Sequence, residues 1–138
     1  MIRFKKLPED INIRLHSLKN YLEESPEVVF AYLFGGFAEK RVSPVSDVDI
    51  AVYLKDPERV EYMDLYKDVS EILGTEEFDL VVLNRAPISI AGRVLLKKEV
   101  IVDKDPFIRH SYESLTIRKF LDFKEFEERF FRRRLKTG

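Results

Sequence analysis

Residues 28–34, Val-Val-Phe-Ala-Tyr-Leu-Phe, constrain the fold more than any other stretch of the chain. An unbroken apolar run this short, built from β-branched and aromatic residues, reads as a strand buried on both faces. Gly35-Gly36 follows and ends the strand in a tight turn. Residues 47–54 behave differently. They alternate, with Val48, Ile50, Val52 and Leu54 on one face and Asp47, Asp49, Ala51 and Tyr53 on the other.

Helical periodicity surrounds these strands. Ile11, Leu15, Leu18 and Leu22 make one apolar stripe and predict a helix over about 10–24, stopped by Ser25-Pro26. A second helix is expected over about 57–73, with Tyr62, Leu65, Tyr66, Val69, Ile72 and Leu73 as its stripe and Gly74 as its stop. Residues 78–83 read as a third strand, 88–97 as a helix and 100–102 as a short strand. Residues 106–136 read as mostly helical, with a break near 121–123. Strands interleaved with helices indicate an α/β or α+β sandwich around one sheet. No repeat or long linker divides the 138 residues, so one domain is expected over 1–138, with a core over about 26–103 and a C-terminal helical segment over about 106–136.

Composition narrows the function classes. At 45% hydrophobic and 36% charged, the chain has the make-up of a folded, strongly charged protein rather than a disordered one. Its net charge of −1 supplies no global field toward nucleic acid or acidic membranes, so neither is an expected partner. With no cysteine, thiolate catalysis and Cys-ligated metal sites are excluded. The first residues lack the apolar stretch of a secretory signal, and no apolar run approaches the ~18 residues of a membrane span. A cytoplasmic location is the expectation.

Asp47 and Asp49 carry the strongest chemical signal. Two residues apart on a strand, they point to one side of the sheet, with about 6–7 Å between them along the strand. On a sheet flanked by apolar residues, desolvation and like charge both oppose ionisation. A divalent cation relieves that repulsion, and Mg²⁺ takes hard oxygen ligands of this kind. Asp79, at the start of the third strand, fits the same scheme if that strand pairs beside 47–54 in register. The plainer alternative is that Asp47 caps the start of its strand while Asp49 faces water. The glycines bear on this choice: backbone N–H groups at a strand-to-helix turn form a ready phosphate site, and glycine lets a triphosphate come close. A Gly-Gly pair alone is also compatible with a simple turn.

Gly35-Gly36, ten intervening residues and then Asp47-Val48-Asp49 resembles the glycine-serine, ten-residue, D-x-D signature of the DNA polymerase β-like nucleotidyltransferase superfamily. Within it the chain is similar to the minimal nucleotidyltransferases, the MNT or MntA-like proteins. Phe78-Asp79-Leu80-Val81-Val82-Leu83-Asn84-Arg85-Ala86-Pro87 resembles their third-acid strand and its exit. Arg93-Val94-Leu95 with Val100-Ile101-Val102-Asp103 resembles their closing helix and strand, and Tyr112 onward their C-terminal helix. The likeness runs over about 28–126. Two departures stand out. Gly36 occupies the place of the serine, and Glu39-Lys40 stands where an Arg-Gly pair is usual.

The resemblance implies a nucleotidyltransferase fold: a mixed central sheet of about four strands flanked by helices. It implies a Mg²⁺-dependent enzyme, with two ions, that moves AMP from ATP to a hydroxyl. Asp47, Asp49 and Asp79 would be the catalytic and metal-binding acids, and Gly35, Gly36, Lys40 and Arg41 the nucleotide-binding residues. It further implies an antitoxin that adenylylates a tyrosine of a HEPN-domain toxin partner. Two alternatives stay open, a degenerate protein that neutralises its partner by binding alone and an enzyme acting on a small molecule. No R-x4–6-H ribonuclease motif surrounds His16 or His110, and both histidines read as structural. Phe123, Phe126 and Phe130, followed by Arg132-Arg133-Arg134, read either as a packed helix with a basic end or as a partner surface.

Overall fold

The computed structural model describes residues 10–35 and 48–137, with side chains as far as 135. The first helix, α1, is Ile11–Glu24, and it buries Ile11, Leu18 and Leu22. It ends where Ser25 turns extended ahead of Pro26. The strands β1 (Val28–Phe34) and β2 (Val48–Leu54) follow. Next come a 3-10 turn, Pro57–Arg59, and helix α2 (Tyr62–Leu73). Gly74 closes α2 in the left-handed region at φ 69°, a conformation that glycine adopts without penalty. Strand β3 (Phe78–Val82), helix α3 (Ile88–Leu96), strand β4 (Lys98–Asp103) and helix α4 (Pro106–Thr137) complete the order.

The four strands form one sheet in the order β3-β2-β1-β4. Strand β1 is antiparallel to both β2 and β4. Strands β2 and β3 run parallel, which requires a crossover and so accounts for α2 between them. Burial separates the two faces. Val48, Ile50, Val52 and Leu54 join Leu18 and Leu22 of α1 and Leu65, Val69 and Leu73 of α2 in the larger core. Phe30, Tyr32 and Ala51 point the other way, toward Val94 and Leu95 of α3. Tyr53 stacks on Phe30 there, ring centroids 4.7 Å apart. A strand with cores on both sides is what the run 28–34 demands.

The boundaries depart from expectation in four places. The expected helix 57–73 is a 3-10 turn and a separate α-helix. Strand β3 stops at Val82, because Asn84 folds back and pairs its side-chain amide with both Leu54 N and Leu54 O, each at 2.9 Å. Strand β4 starts at Lys98, two residues earlier than its apolar part. Helix α4 runs unbroken through 121–123. It contains no Gly or Pro after Pro106, and Phe120 seats against Gly92 of α3, where a Cβ would collide with the ring.

Candidate active site

Four residues occupy one transverse row of the sheet. Asp79 pairs with Asp49 across β3 and β2, Asp49 with Phe34 across β2 and β1, and Phe34 with Lys98 across β1 and β4. Adjacent strands lie about 4.8 Å apart and residues in register share a face, so Asp49 and Asp79 present their carboxylates side by side. The face is that of Ala51 and Tyr53 on β2 and of Val81 on β3. Asp49 is half-buried with its Oδ1 shielded from solvent, whereas Asp79 is exposed.

Gly35 continues β1 beyond Phe34 and sits at φ 78°. A Cβ built there would run into the Asp49 carboxylate, with Cγ at 3.2 Å and Cβ at 3.5 Å. The missing side chain therefore makes room for an aspartate pressed against the turn, a nearer reason for glycine than the approach of a phosphate. Asp47, Gly36, Glu39, Lys40 and Arg41 lie outside the described residues. Among the described residues no group of three His, Asp or Glu side chains gathers to hold a metal. Asp49 and Asp79 nevertheless fit one, as two hard oxygen donors on one face and in one row.

The exposed side of Asp79 opens on a cleft of about 480 Å³ at the β3 corner of the sheet, running from Phe34 to Tyr62 and Tyr66 of α2. Tyr66 stacks on Phe78 at 4.7 Å between centroids. The Tyr62 hydroxyl donates to Leu80 O at 2.8 Å. Burial, then Tyr66, then Asp79 push its pKa above the usual phenol value, so it stays a proton donor to that carbonyl.

At the other end of the row a polar clasp holds α4 to the sheet. Glu113 accepts from the Tyr32 hydroxyl at 2.7 Å and from Arg109 at 3.1 Å, and its Oε2 lies 3.1 Å from Lys98 Nζ. Arg109 also pairs with Asp103 at 2.9 Å. Burial alone would raise the Glu113 pKa, but Tyr32, Lys98 and Arg109 together hold it below the ordinary carboxylate value. Lys98 and the two tyrosines of the cleft escaped the sequence reading. Lys98 lay between the expected helix 88–97 and the expected strand, and Tyr62 and Tyr66 were absorbed into an apolar stripe. Both histidines are exposed, and His110 lies 4.0 Å from Glu113.

A glycine packed against one acid, two acids in register on parallel strands and a mixed sheet between helices fit one class, the nucleotidyltransferases. The family described as Polymerase beta, Nucleotidyltransferase matches residues 16–107, a span that includes Gly35, all three acids and Lys98. The chain belongs to that family. Its fold is similar to a chain of a toxin–antitoxin structure with AMP-PNP (TM-score 0.70, 18% identity), over 89% of this chain and 97% of that one. It is likewise similar to a chain in the structure of a tri-AMPylated Shewanella oneidensis HEPN toxin in complex with MNT antitoxin (TM-score 0.68, 17% identity), over 90% and 98%. The toxin–antitoxin MntA-HepT provides another such chain, with TM-score 0.68, 18% identity and coverage of 90% and 98%. No protein of curated function matches by sequence.

Proposed function

We propose that the chain is a Mg²⁺-dependent adenylyltransferase that moves AMP from ATP to a tyrosine hydroxyl of a HEPN-domain toxin, acting in the cytoplasm as the antitoxin of that pair. The observation that carries this reading is the register of Asp49 against Asp79 beside Gly35. The AMP-PNP and tri-AMPylated HEPN toxin in the similar structures support the choice of nucleotide and acceptor.

In the reaction the acceptor oxygen bonds to the α-phosphorus, the bond from that phosphorus to the bridging oxygen breaks, and pyrophosphate leaves. Mg²⁺, when bound, neutralises charge on the phosphoryl oxygens and the leaving group. Asp47 and Asp49 would hold it, joined by Asp79. The exposed carboxylate of Asp79 orients the hydroxyl and takes its proton. Backbone N–H groups at Gly35 and Gly36, with Lys40 and Arg41, bind the triphosphate.

The test is incubation with Mg²⁺, ATP labelled at the α-phosphate and a HEPN-domain partner. Label should appear on the partner, vanish with EDTA, and fall by about 10²–10⁴-fold in Asp79→Asn and comparably in Asp47→Asn. Gly36 in place of serine motivates a second reading, neutralisation by binding alone, and partner capture without label would establish it. Label found only on a small molecule would refute the protein acceptor.

A further inference from the structure

We propose that Asn84 is a positioning residue: its side-chain amide fixes the offset of strand β3 against β2 and so keeps Asp79 level with Asp49. This rests on the adenylyltransferase reading above, which gives the two acids a shared metal to hold.

The apolar pattern alone leaves that offset underdetermined. Strand β3 is five residues long and stands at the end of the order β3-β2-β1-β4. Phe78, Leu80 and Val82 turn to the same core as Val48, Ile50, Val52 and Leu54. A shift of β3 by one residue would carry Asp79 into that core, where a charge is costly. A shift by two exchanges apolar for apolar and keeps Asp79 on its own face. In one direction it would move the carboxylate about 6–7 Å along the sheet, opposite Ala51 rather than Asp49. A second feature has to tell these registers apart.

Asn84 supplies it. The paired residues, Val48 with Phe78 through Val52 with Val82, are thirty positions apart. Asn84 meets Leu54 at the same separation, although the chain has by then left the strand for a 3-10 turn, Leu83–Arg85. The main chain has turned away there, with the Leu83 carbonyl accepting from Ala86 N. In its place Asn84 Oδ1 accepts from Leu54 N and Asn84 Nδ2 donates to Leu54 O, each at 2.9 Å. A primary amide carries a donor and an acceptor side by side, as a peptide group does, so it stands in for the next rung of the ladder. Leu54 is buried, and any register that withdraws the amide leaves polar backbone groups unmet. Two neighbouring ties do less for the acids. Arg85 donates to Pro57 O at 2.9 Å but is exposed, and the Tyr62 hydroxyl binds Leu80 O, which ties β3 to α2 rather than to β2.

The experiment compares the wild-type protein with Asn84→Ala, Asn84→Asp and Gly92→Ala, each at a temperature where it is fully folded. Asn84→Asp keeps the size of the side chain and removes the donor to Leu54 O, so it serves if Asn84→Ala does not fold. Gly92→Ala perturbs the α3–α4 contact instead and controls for lost stability. In the metal-free protein, amide exchange at Leu54 should quicken at least ~10-fold in Asn84→Ala. Cross-strand NOEs between Ile50 and Leu80 should weaken, while those between β1 and β2 persist. Mn²⁺ affinity, read by EPR with AMP-PNP present, should fall about 10–100-fold in Asn84→Ala and at least ~3-fold in Asn84→Asp. Gly92→Ala should stay within about twofold of the wild type. Unchanged NOEs and Mn²⁺ affinity in both Asn84 variants overturn the proposal, and so does an equal loss of affinity in Gly92→Ala. If the wild-type protein binds no Mn²⁺ and labels no acceptor while the Asn84 variants lose the NOEs, the adenylyltransferase reading fails and the register role of Asn84 survives.

Discussion

Replacing Gly35 with alanine tests how closely the turn and Asp49, the proposed metal ligand, are built together. Two effects contribute. A non-glycine residue at φ 78° costs about 1–2 kcal/mol in the backbone. The new Cβ also meets the Asp49 carboxylate, which must rotate away from its rotamer at a further ~0.5–1.5 kcal/mol. The expected loss of stability is therefore about 1.5–3.5 kcal/mol. The loss of activity should be larger than that figure suggests, because displacing a ligating carboxylate by about 1 Å can lower the rate ~10²-fold. A double-mutant cycle separates the contributions. In an Asp49→Ala background Cγ and both carboxylate oxygens are gone, so Gly35→Ala should cost about 1 kcal/mol less than in the wild type. Urea unfolding of the four proteins gives the energies, and transfer of labelled AMP gives the rates. Equal cost in both backgrounds would mean that glycine serves the backbone angle alone. Wild-type turnover in Gly35→Ala would remove the reason for linking the turn to Asp49.

Three more outcomes follow from the packing. Glu113→Gln should lower stability by about 1–3 kcal/mol near neutral pH. Because folding depresses the Glu113 pKa from 4.5, the ion's contribution is present above that value and is lost as pH falls through the lower folded value. The gap between variant and wild type in urea midpoint should accordingly narrow on acidification below about pH 4.5. Gly92→Ala should destabilise by about 1–3 kcal/mol through overlap with Phe120, partly offset by the ~1 kcal/mol gained in helix propensity; a more stable variant in denaturant titration would contradict the contact. The Tyr21 hydroxyl donates to Asp68 at 2.7 Å, joining α1 to α2, and burial followed by Asp68 pushes its pKa up to about 12. Its contribution is full below pH 10 and is lost as pH rises toward 12. Tyr21→Phe should flatten the alkaline fall in stability over that window.

The elements most legible in the sequence were those whose local pattern already expressed the tertiary environment. Strand β1, buried on both faces, shows its full extent as an apolar run, and Gly74 marks the end of α2 through its own backbone angle. The start of strand β4 was expected two residues late because Lys98 and Glu99 carry no strand periodicity; Lys98 pairs with Glu113, which is fifteen positions on in the chain and invisible to a local window. The break expected near 121–123 does not occur, and the helix continues there by backbone propensity with little core beneath it. For the site, Asp49 and Asp79 were identifiable as misplaced charges on strands. Their pairing was not, since strand register is settled by the whole sheet. The aromatic walls beside Asp79 had no separate signal at all: at helical spacing, Tyr62 and Tyr66 look the same whether they cover a core or line a cleft.

Helix α4 has 32 residues, a rod of about 48 Å. Its grip on the body lies in the first half, at the Arg109–Glu113 clasp and at Thr116 and Phe120, the last residue it buries. The remaining length, about 25 Å, carries Phe126, Phe130 and Phe131 out into solvent. Such a rod works as a pointer pivoted close to its base, and a tilt of about 5° at the pivot swings the tip by about 2 Å. The sheet row that carries the two acids ends at Lys98, and Lys98 grips the rod near its base through Glu113, so the candidate site and the anchor of α4 are built on one line of the sheet.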